Sequence, residues 1–245
     1  MTLFAGLGAT SAVLMLVFKD TITGLAAGVR LTSNDMLHKG DWITVKSVDA
    51  NGIVEDMSLT TVKVRNFDNT IVTISPITLV NGSFQNWIGM QKSGGRRVKR
   101  VVYFDFRSVR LVDETLKRIL LAKHFATEDS FKLKESLQKA IDKDIQEGKD
   151  IEDLKNPAAL APTNLQLYRK FMEKYLRQRP EVNTDLTLMV RHMEATQCGL
   201  PIEFYFFIKD KVWVNYEHIL ADIMEHAYAL ANEFGLKIYE QYPEQ

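Results

Sequence analysis

Apolar residues follow three successive rhythms along this chain. From Leu3 to Phe18 (LFAGLGATSAVLMLVF) no residue is charged and few are polar. A bilayer span takes about 20 apolar residues, and this run stops short of that at Lys19 and Asp20, so further apolar chain upstream is expected to complete it. Gly6, Gly8, Ala9, Ser11 and Ala12 recur inside it. Small residues let membrane helices approach closely, whereas several glycines weaken a helix in water, so membrane packing fits better than a buried soluble helix. A secretory signal fits poorly, because no basic region precedes the run and Lys19-Asp20 occupies the cleavage zone. Lys19 and Asp20 are expected to mark a helix break: Asp20 would N-cap a second helix starting at Thr21, and Lys19 would neutralise the end of the first. That second helix carries Ile22, Leu25, Ala26 and Val29 on one face, a pattern suited to a membrane interface.

Beyond His38 the period changes to two. Asp41–Lys46, Gly52–Asp56, Thr61–Asn66 and Thr70–Ile74 alternate apolar and polar positions and are predicted as short antiparallel strands, with turns at Asp49–Gly52 and Asp68-Asn69. Strands so closely spaced are expected to close as a small all-β barrel of the Sm-like or SH3-like kind. From Val98 strands and helices alternate: a strand over Val98–Phe106, a helical stripe at Val112, Leu116, Ile119 and Leu120, strands at Leu186–Met193 and Ile202–Ile208, and a long helix carrying Ile219, Ile223, Ala227, Leu230 and Phe234. The order βαββα, with Lys237-Ile238-Tyr239 as a possible last strand, predicts an α+β domain of the ferredoxin-like kind. The predicted division is a kinked helical segment over 1–37, a β barrel over 38–92 and an α/β domain over 93–245, the last with a charged helical insertion at about 127–180.

Composition removes several function classes. Lys plus Arg and Asp plus Glu both number 31, so bulk charge selects no nucleic-acid partner. The single cysteine, Cys198, excludes an internal disulfide framework and a thiolate zinc site, and fits a reducing compartment. Gly6-Leu7-Gly8-Ala9-Thr10 lacks the preceding strand and the Gly-Lys-Ser/Thr of a phosphate cradle. His218 and His226 lie eight residues apart without a metal-binding arrangement, and no nucleophile–base motif appears. No enzyme activity, metal or cofactor is predicted. Lys63, Arg65, Lys99 and Arg100 read as solvated strand edges rather than ion-filtering positions, and no basic patch interleaved with aromatics is expected on one strand set, as nucleic-acid binding would require.

Gly24-Leu25-Ala26-Ala27-Gly28, Gly40-Asp41-Trp42-Ile43, Gly52-Ile53-Val54-Glu55, Ser58-Leu59-Thr60-Thr61-Val62 and Asn81-Gly82-Ser83-Phe84-Gln85-Asn86-Trp87 follow one another in the chain. Together, over roughly Leu3 to Asp105, they resemble the small-conductance mechanosensitive channel (MscS) family. Lys39–Trp42 and Phe84–Trp87, with the insertion, are most similar to its YbdG-type miniconductance subgroup. The resemblance implies a homoheptamer in the bacterial cytoplasmic membrane, with the β and α/β domains in the cytoplasm and further transmembrane helices upstream. Its partners would be membrane lipid and permeating ions, and it would open in hypoosmotic shock. The chain departs from the family pattern at Ser11, Met15 and Val17 in the pore helix, at Asp20 in place of the usual glycine, at Asp35-Met36-Leu37 and at Ile74-Ser75-Pro76.

The family's pore-facing positions fall on Ala12 and Leu16, four residues apart and so on one helix face. Leu16 is the gate implied, with Val13 and Val17 as alternatives if the helix is rotated. Lys19, Asp20, Gly24 and Gly28 are the break and hinge positions. The competing class is a soluble regulatory module in which a small barrel and a ferredoxin-like domain bind a ligand or RNA; a need for detergent and a ring-shaped assembly would distinguish the channel.

Overall fold

The computed structural model describes residues 2–132 and 161–240, with isolated positions 139, 142, 143 and 146. Side chains are described from residue 11 onward. The chain forms two compact units, residues 1–93 and 94–245.

The first unit begins with one helix, α1 (Thr2–Ser33). It runs without interruption through Lys19 and Asp20, which corrects the expected break. An N-cap must leave helical backbone geometry, and Asp20 does not. The strands that follow are β1 (Trp42–Val45), β2 (Ala50–Met57), β3 (Val62–Asn66) and β4 (Ile71–Ile74), then a short helix α2 (Pro76–Asn81), β5 (Gln85–Asn86) and α3 (Ile88–Lys92). The predicted turns are present, with Asp49 and Asn69 in the left-handed region at φ 53° and 68°. Short polar side chains tolerate that conformation. The five strands form one antiparallel sheet in the order β4-β3-β2-β1-β5. Since β4 and β5 are its two edges and no ladder joins them, the expected closed barrel is an open sheet; β5 has only two residues with which to pair. The sheet's core is aliphatic: Ile43, Val45, Val54, Val62, Val64 and Ile74 are joined by Leu79 of α2 and by Leu31 and Leu37 from the end of α1 and its following loop.

The second unit contains β6 (Arg96–Phe104), α4 (Glu114–Ala122), α5 (Asn164–Gln178), β7 (Met189–His192), β8 (Leu200–Ile208) and α6 (Trp213–Glu233). Its sheet order is β6-β8-β7, all antiparallel. Ile238 adds a single bridge beside Phe104, and the Tyr239 amide donates to the Tyr103 carbonyl at 2.8 Å, so the possible last strand is reduced to a contact. Along β8, Ile202, Phe204, Phe206 and Ile208 point into a core filled by α4, α5 and α6. The segment read as an insertion therefore has to be divided: α5 is a core helix, burying Leu165, Leu167, Tyr168, Met172 and Leu176, while most of 133–160 lies outside the described residues. α5 also covers the free edge of β7, because Glu173 accepts from the Val190 amide at 3.0 Å and Arg169 donates to the Val190 carbonyl at 3.2 Å. Edge strands left bare invite aggregation.

The opposite sheet face is only partly apolar. Arg97 and Lys99 of β6 lie opposite Phe207 and Tyr205 of β8, which corrects the expectation that no strand set interleaves basic and aromatic residues: the pairing joins positions about a hundred residues apart, which a reading along the chain does not bring together. Glu203 lies at the centre of this face, wholly buried, accepting from Arg191 Nε at 2.6 Å with Lys99 Nζ 3.7 Å from its other oxygen. A carboxylate is tolerated there because cations from both neighbouring strands meet it.

Asn164, completely buried, organises the ends of several elements. Its Nδ2 donates to the carbonyls of Ser108 (2.9 Å) and Phe234 (3.1 Å), while its Oδ1 accepts from the amides of Arg110 (3.0 Å) and Leu165 (2.9 Å). Replacing it with leucine removes these partners from buried backbone groups. Asn164→Leu is expected to destabilise the protein by about 3 kcal/mol, several unsatisfied polar groups at once, read as a lowered midpoint in chemical denaturation.

Candidate pore helix and its seat on the β sheet

Within α1 the stretch Ser11–Ser33 spans 23 residues, with only 11 % of its most apolar window buried. At 1.5 Å rise per residue it is about 34 Å long, enough for the roughly 30 Å hydrocarbon layer. A core helix of a soluble protein would be covered by its own chain. This one is not, and its apolar side chains need lipid or other chains around them.

Ala12, Val13, Leu16 and Val17 are all exposed, Leu16 at 73 %, and so are Leu14, Met15 and Phe18. Exposure is thus similar all round this part of the helix. Below it, Thr23 Oγ1 donates to the Lys19 carbonyl at 2.7 Å, a bond to the preceding turn that leaves the helix intact. The face predicted for the lower half is the exposed one: Ile22, Leu25 and Val29 face outward, whereas Ala27, Gly28 and Leu31 are buried. The two glycines read as hinges differ in kind. A side chain at Gly24 would meet nothing within 4 Å, but a Cβ at Gly28 would collide with the Leu59 carbonyl in the β2–β3 connection. That connection is itself fixed by Ser58, whose Oγ accepts from the amides of Thr60 (3.4 Å) and Thr61 (3.0 Å).

The end of α1 is tightly defined. The Met36 amide donates to the Leu31 carbonyl at 3.1 Å and the Asp35 amide to the Thr32 carbonyl at 3.3 Å, with Asp35 left-handed at φ 58°. This is the Schellman arrangement with aspartate in the position that glycine usually takes. Asp41, only 6 % exposed, then accepts through Oδ2 from the His38 amide (3.0 Å) and from Asn86 Nδ2 (2.7 Å), and the same Asn86 nitrogen lies 3.3 Å from the Met36 carbonyl. The helix exit, the start of β1 and β5 are thereby tied at one carboxylate. Trp42 and Trp87 stack beside it at 4.8 Å, with Trp42 Nε1 donating to Asn51 Oδ1 and Trp87 Nε1 to Thr44 Oγ1, each at 3.0 Å. Asp41 and Asn86 stand in the stretches that carry the family resemblance, which was the available signal, but the sequence assigns them no role. Among the described residues no three His, Cys, Asp or Glu side chains gather as metal ligands; His226 stacks on Tyr175 at 4.6 Å.

Gly28→Ala is expected to force the Leu59 loop away and to destabilise the protein by about 1–3 kcal/mol, as overpacking does. Gly24→Ala, with open space around it, is expected to be neutral or stabilising. Thermal unfolding of the detergent-purified variants separates the two outcomes.

Residues 20–89 match the sequence profile of the mechanosensitive ion channel β-domain family. The small-conductance mechanosensitive channel MscMJ of Methanocaldococcus jannaschii is 34% identical over 84 residues, covering 34% of this chain and 23% of that protein. The large-conductance channel MscMJLR of the same organism is 30% identical over 121 residues, covering 49% of this chain and 33% of that protein. The chain thus spans a quarter to a third of the length of these curated relatives. Among solved structures, the closed state of Helicobacter pylori MscS superposes with a TM-score of 0.60 at 14% identity, covering 100% of this chain and 72% of that one. Arabidopsis thaliana MSL1 gives 0.62 at 10% identity, covering 96% and 64%. At those identities the superpositions establish a shared fold.

Proposed function

We propose that this chain, whose residues 20–89 match the mechanosensitive ion channel β-domain family, supplies the pore-lining helix and cytosolic domains of a mechanosensitive channel of the MscS type. The observation that carries this is the continuity between a membrane-length, uncovered helix and an MscS-type β sheet. A cleavable signal would leave the fold intact on removal, whereas Leu31 here is part of the sheet's core. The exposed apolar helix also weighs against the soluble-module alternative.

In the proposed assembly seven copies surround an axis and Leu16, with Ala12 above it, forms an apolar ring. Val13 or Val17 takes that role if the helix is rotated. A ring narrow enough to dewet stops hydrated ions, and widening restores water and conduction. Membrane tension favours the open state because that state occupies more area, which is a free-energy difference between two conformations. With Gly28 packed, bending during gating is assigned to Gly24. The reading extends to release of ions and small solutes in hypoosmotic shock across a bacterial cytoplasmic membrane, and to the YbdG-type subgroup on the wording of Lys39–Trp42 and Phe84–Trp87. Ferredoxin-like architecture for the second unit is supported by the β6-β8-β7 order and the Ile238 bridge beside Phe104.

In patch recordings of the full-length protein, Leu16→Ser is expected to lower the tension threshold and raise open probability. An unchanged threshold removes Leu16 from the gate. Native mass spectrometry of the detergent-solubilised particle is expected to give a ring of about seven subunits, the number that the family resemblance implies, around the hydrophobic gate; a detergent-independent monomer sinks the channel reading itself.

A further inference from the structure

We propose that the second unit carries a binding site for a small, multiply charged oxyanion of the phosphate class, in the cleft between the β6–α4 connection and the chain following α6. Two adjoining clefts of about 390 and 450 Å³ share Asp105, Arg107 and Lys237 in their walls. The first continues toward Tyr239 and Glu240, and the second toward Ser108, Arg110 and Gly235. Glu240 makes the first unfavourable to an anion. In the second, Arg107, Arg110 and Lys237 line the wall with Asp105, and Asp113 beside the cleft holds one nitrogen of Arg110.

The Asp105 carboxylate is already satisfied. Asp105 accepts from the Arg107 amide at 2.9 Å and from the same guanidinium through Nη2 at 2.9 Å and Nε at 3.2 Å. These bonds from Arg107, with a smaller pull from the Lys237 charge, hold its carboxyl below the usual range, so Asp105 stays ionised. Arg110 uses Nη1 on Asp113 at 2.6 Å, and its Nη2 stands over Gly235, where an added Cβ would lie 3.6 Å away. Gly235 is left-handed at φ 66°, and its bare backbone keeps the cleft open beneath that guanidinium. Lys237 is exposed, and among the described residues no carboxylate lies within ion-pair distance of its ammonium. Two guanidiniums, each holding a carboxylate through only part of its donor set, and a lysine point charge line one cleft, and an oxyanion with several acceptor oxygens can satisfy the donors that remain.

The cleft is also built on a fixed base. Asn164, on the core helix α5, bonds Ser108, Arg110 and Phe234 at once, so both cleft walls hang from a single buried side chain. An anion arriving there meets cations whose backbone is already in place, which spares part of the ordering cost of binding. Ordinary surface ion pairs lack such a shared buried anchor.

The test is calorimetric titration of the full chain, purified in detergent, with inorganic pyrophosphate in a chloride buffer. Saturable binding of one ion per protomer is expected. Arg107→Gln and Lys237→Gln are each expected to weaken it by about tenfold, one charge-assisted hydrogen bond apiece, while Lys63→Gln on the other unit leaves it unchanged. A parallel titration with a short-chain phosphatidate in the micelle distinguishes the source of the group. Variant-sensitive binding of pyrophosphate identifies a soluble ligand; variant-sensitive binding of the lipid alone identifies a headgroup. Saturation by neither probe, or equal weakening by Lys63→Gln, overturns the site.

Discussion

The lower turns of α1 cannot move independently of the β sheet. Gly28 meets the Leu59 backbone without an intervening side chain, and Leu31 is wholly buried among the strand residues. Cores are close-packed, so rotation or sliding at this point would open voids or produce clashes rather than deform smoothly. The Asp41 carboxylate reinforces the constraint by gathering the loop after the helix, the first strand and the last strand onto one oxygen, Oδ2. Among the described residues, no part of the chain buries the helix side chains at 11–23 in this way. The upper half of α1 is set by whatever surrounds it, its lower half by the sheet.

The second unit solves a different problem, that of a three-stranded sheet with helices packed on one face. Its inner face is aromatic and tightly filled, with Phe104, Tyr168 and Phe234 meeting edge to face. Tyr168 also spends its hydroxyl on the Ala227 carbonyl at 2.8 Å, and burial pushes that phenol's pKa upward. The other face keeps a buried glutamate only because Arg191 and Lys99 reach it from both flanks. Buried polar groups in this unit, Asn164 above all, are placed where separate chain segments converge.

Much of this was legible in the sequence wherever a local rule decides the outcome. Period-two alternation located β1 to β4 of the first sheet but not the two-residue β5, too short to show a period, and Asp49 and Asn69 marked turns because their side chains tolerate left-handed backbone. The αβ rhythm found β6, α4, β8 and α6. Lys19-Asp20 misled because a charged pair in an apolar run resembles a helix boundary, yet a helix is broken by loss of backbone bonding and not by charge alone. The core role of α5 was present in the spacing of Leu165, Tyr168, Met172 and Leu176, but the charges interspersed among them obscured it. Barrel closure could not be read because it depends on how two short edges meet in space. The seat of α1 was hidden for a similar reason: the contact joins residues about thirty positions apart through a glycine that has no side chain to signal it. The gate assignment comes from resemblance, since exposure does not distinguish one face of residues 11–18 from another.

The two sheets also place different demands on a chain emerging from the ribosome. In the first, β1 to β4 pair with their immediate neighbours and can form hairpin by hairpin. In the second, β6 pairs with β8, Val102 lying opposite Ile202. At typical synthesis rates β6 waits about 5–20 s for its partner. During that interval it is an unpaired strand bearing Val98, Val101, Val102 and Phe104, and such strands seed aggregation. Arg96, Arg97, Lys99 and Arg100, set among those residues, act as gatekeepers that keep the waiting strand soluble.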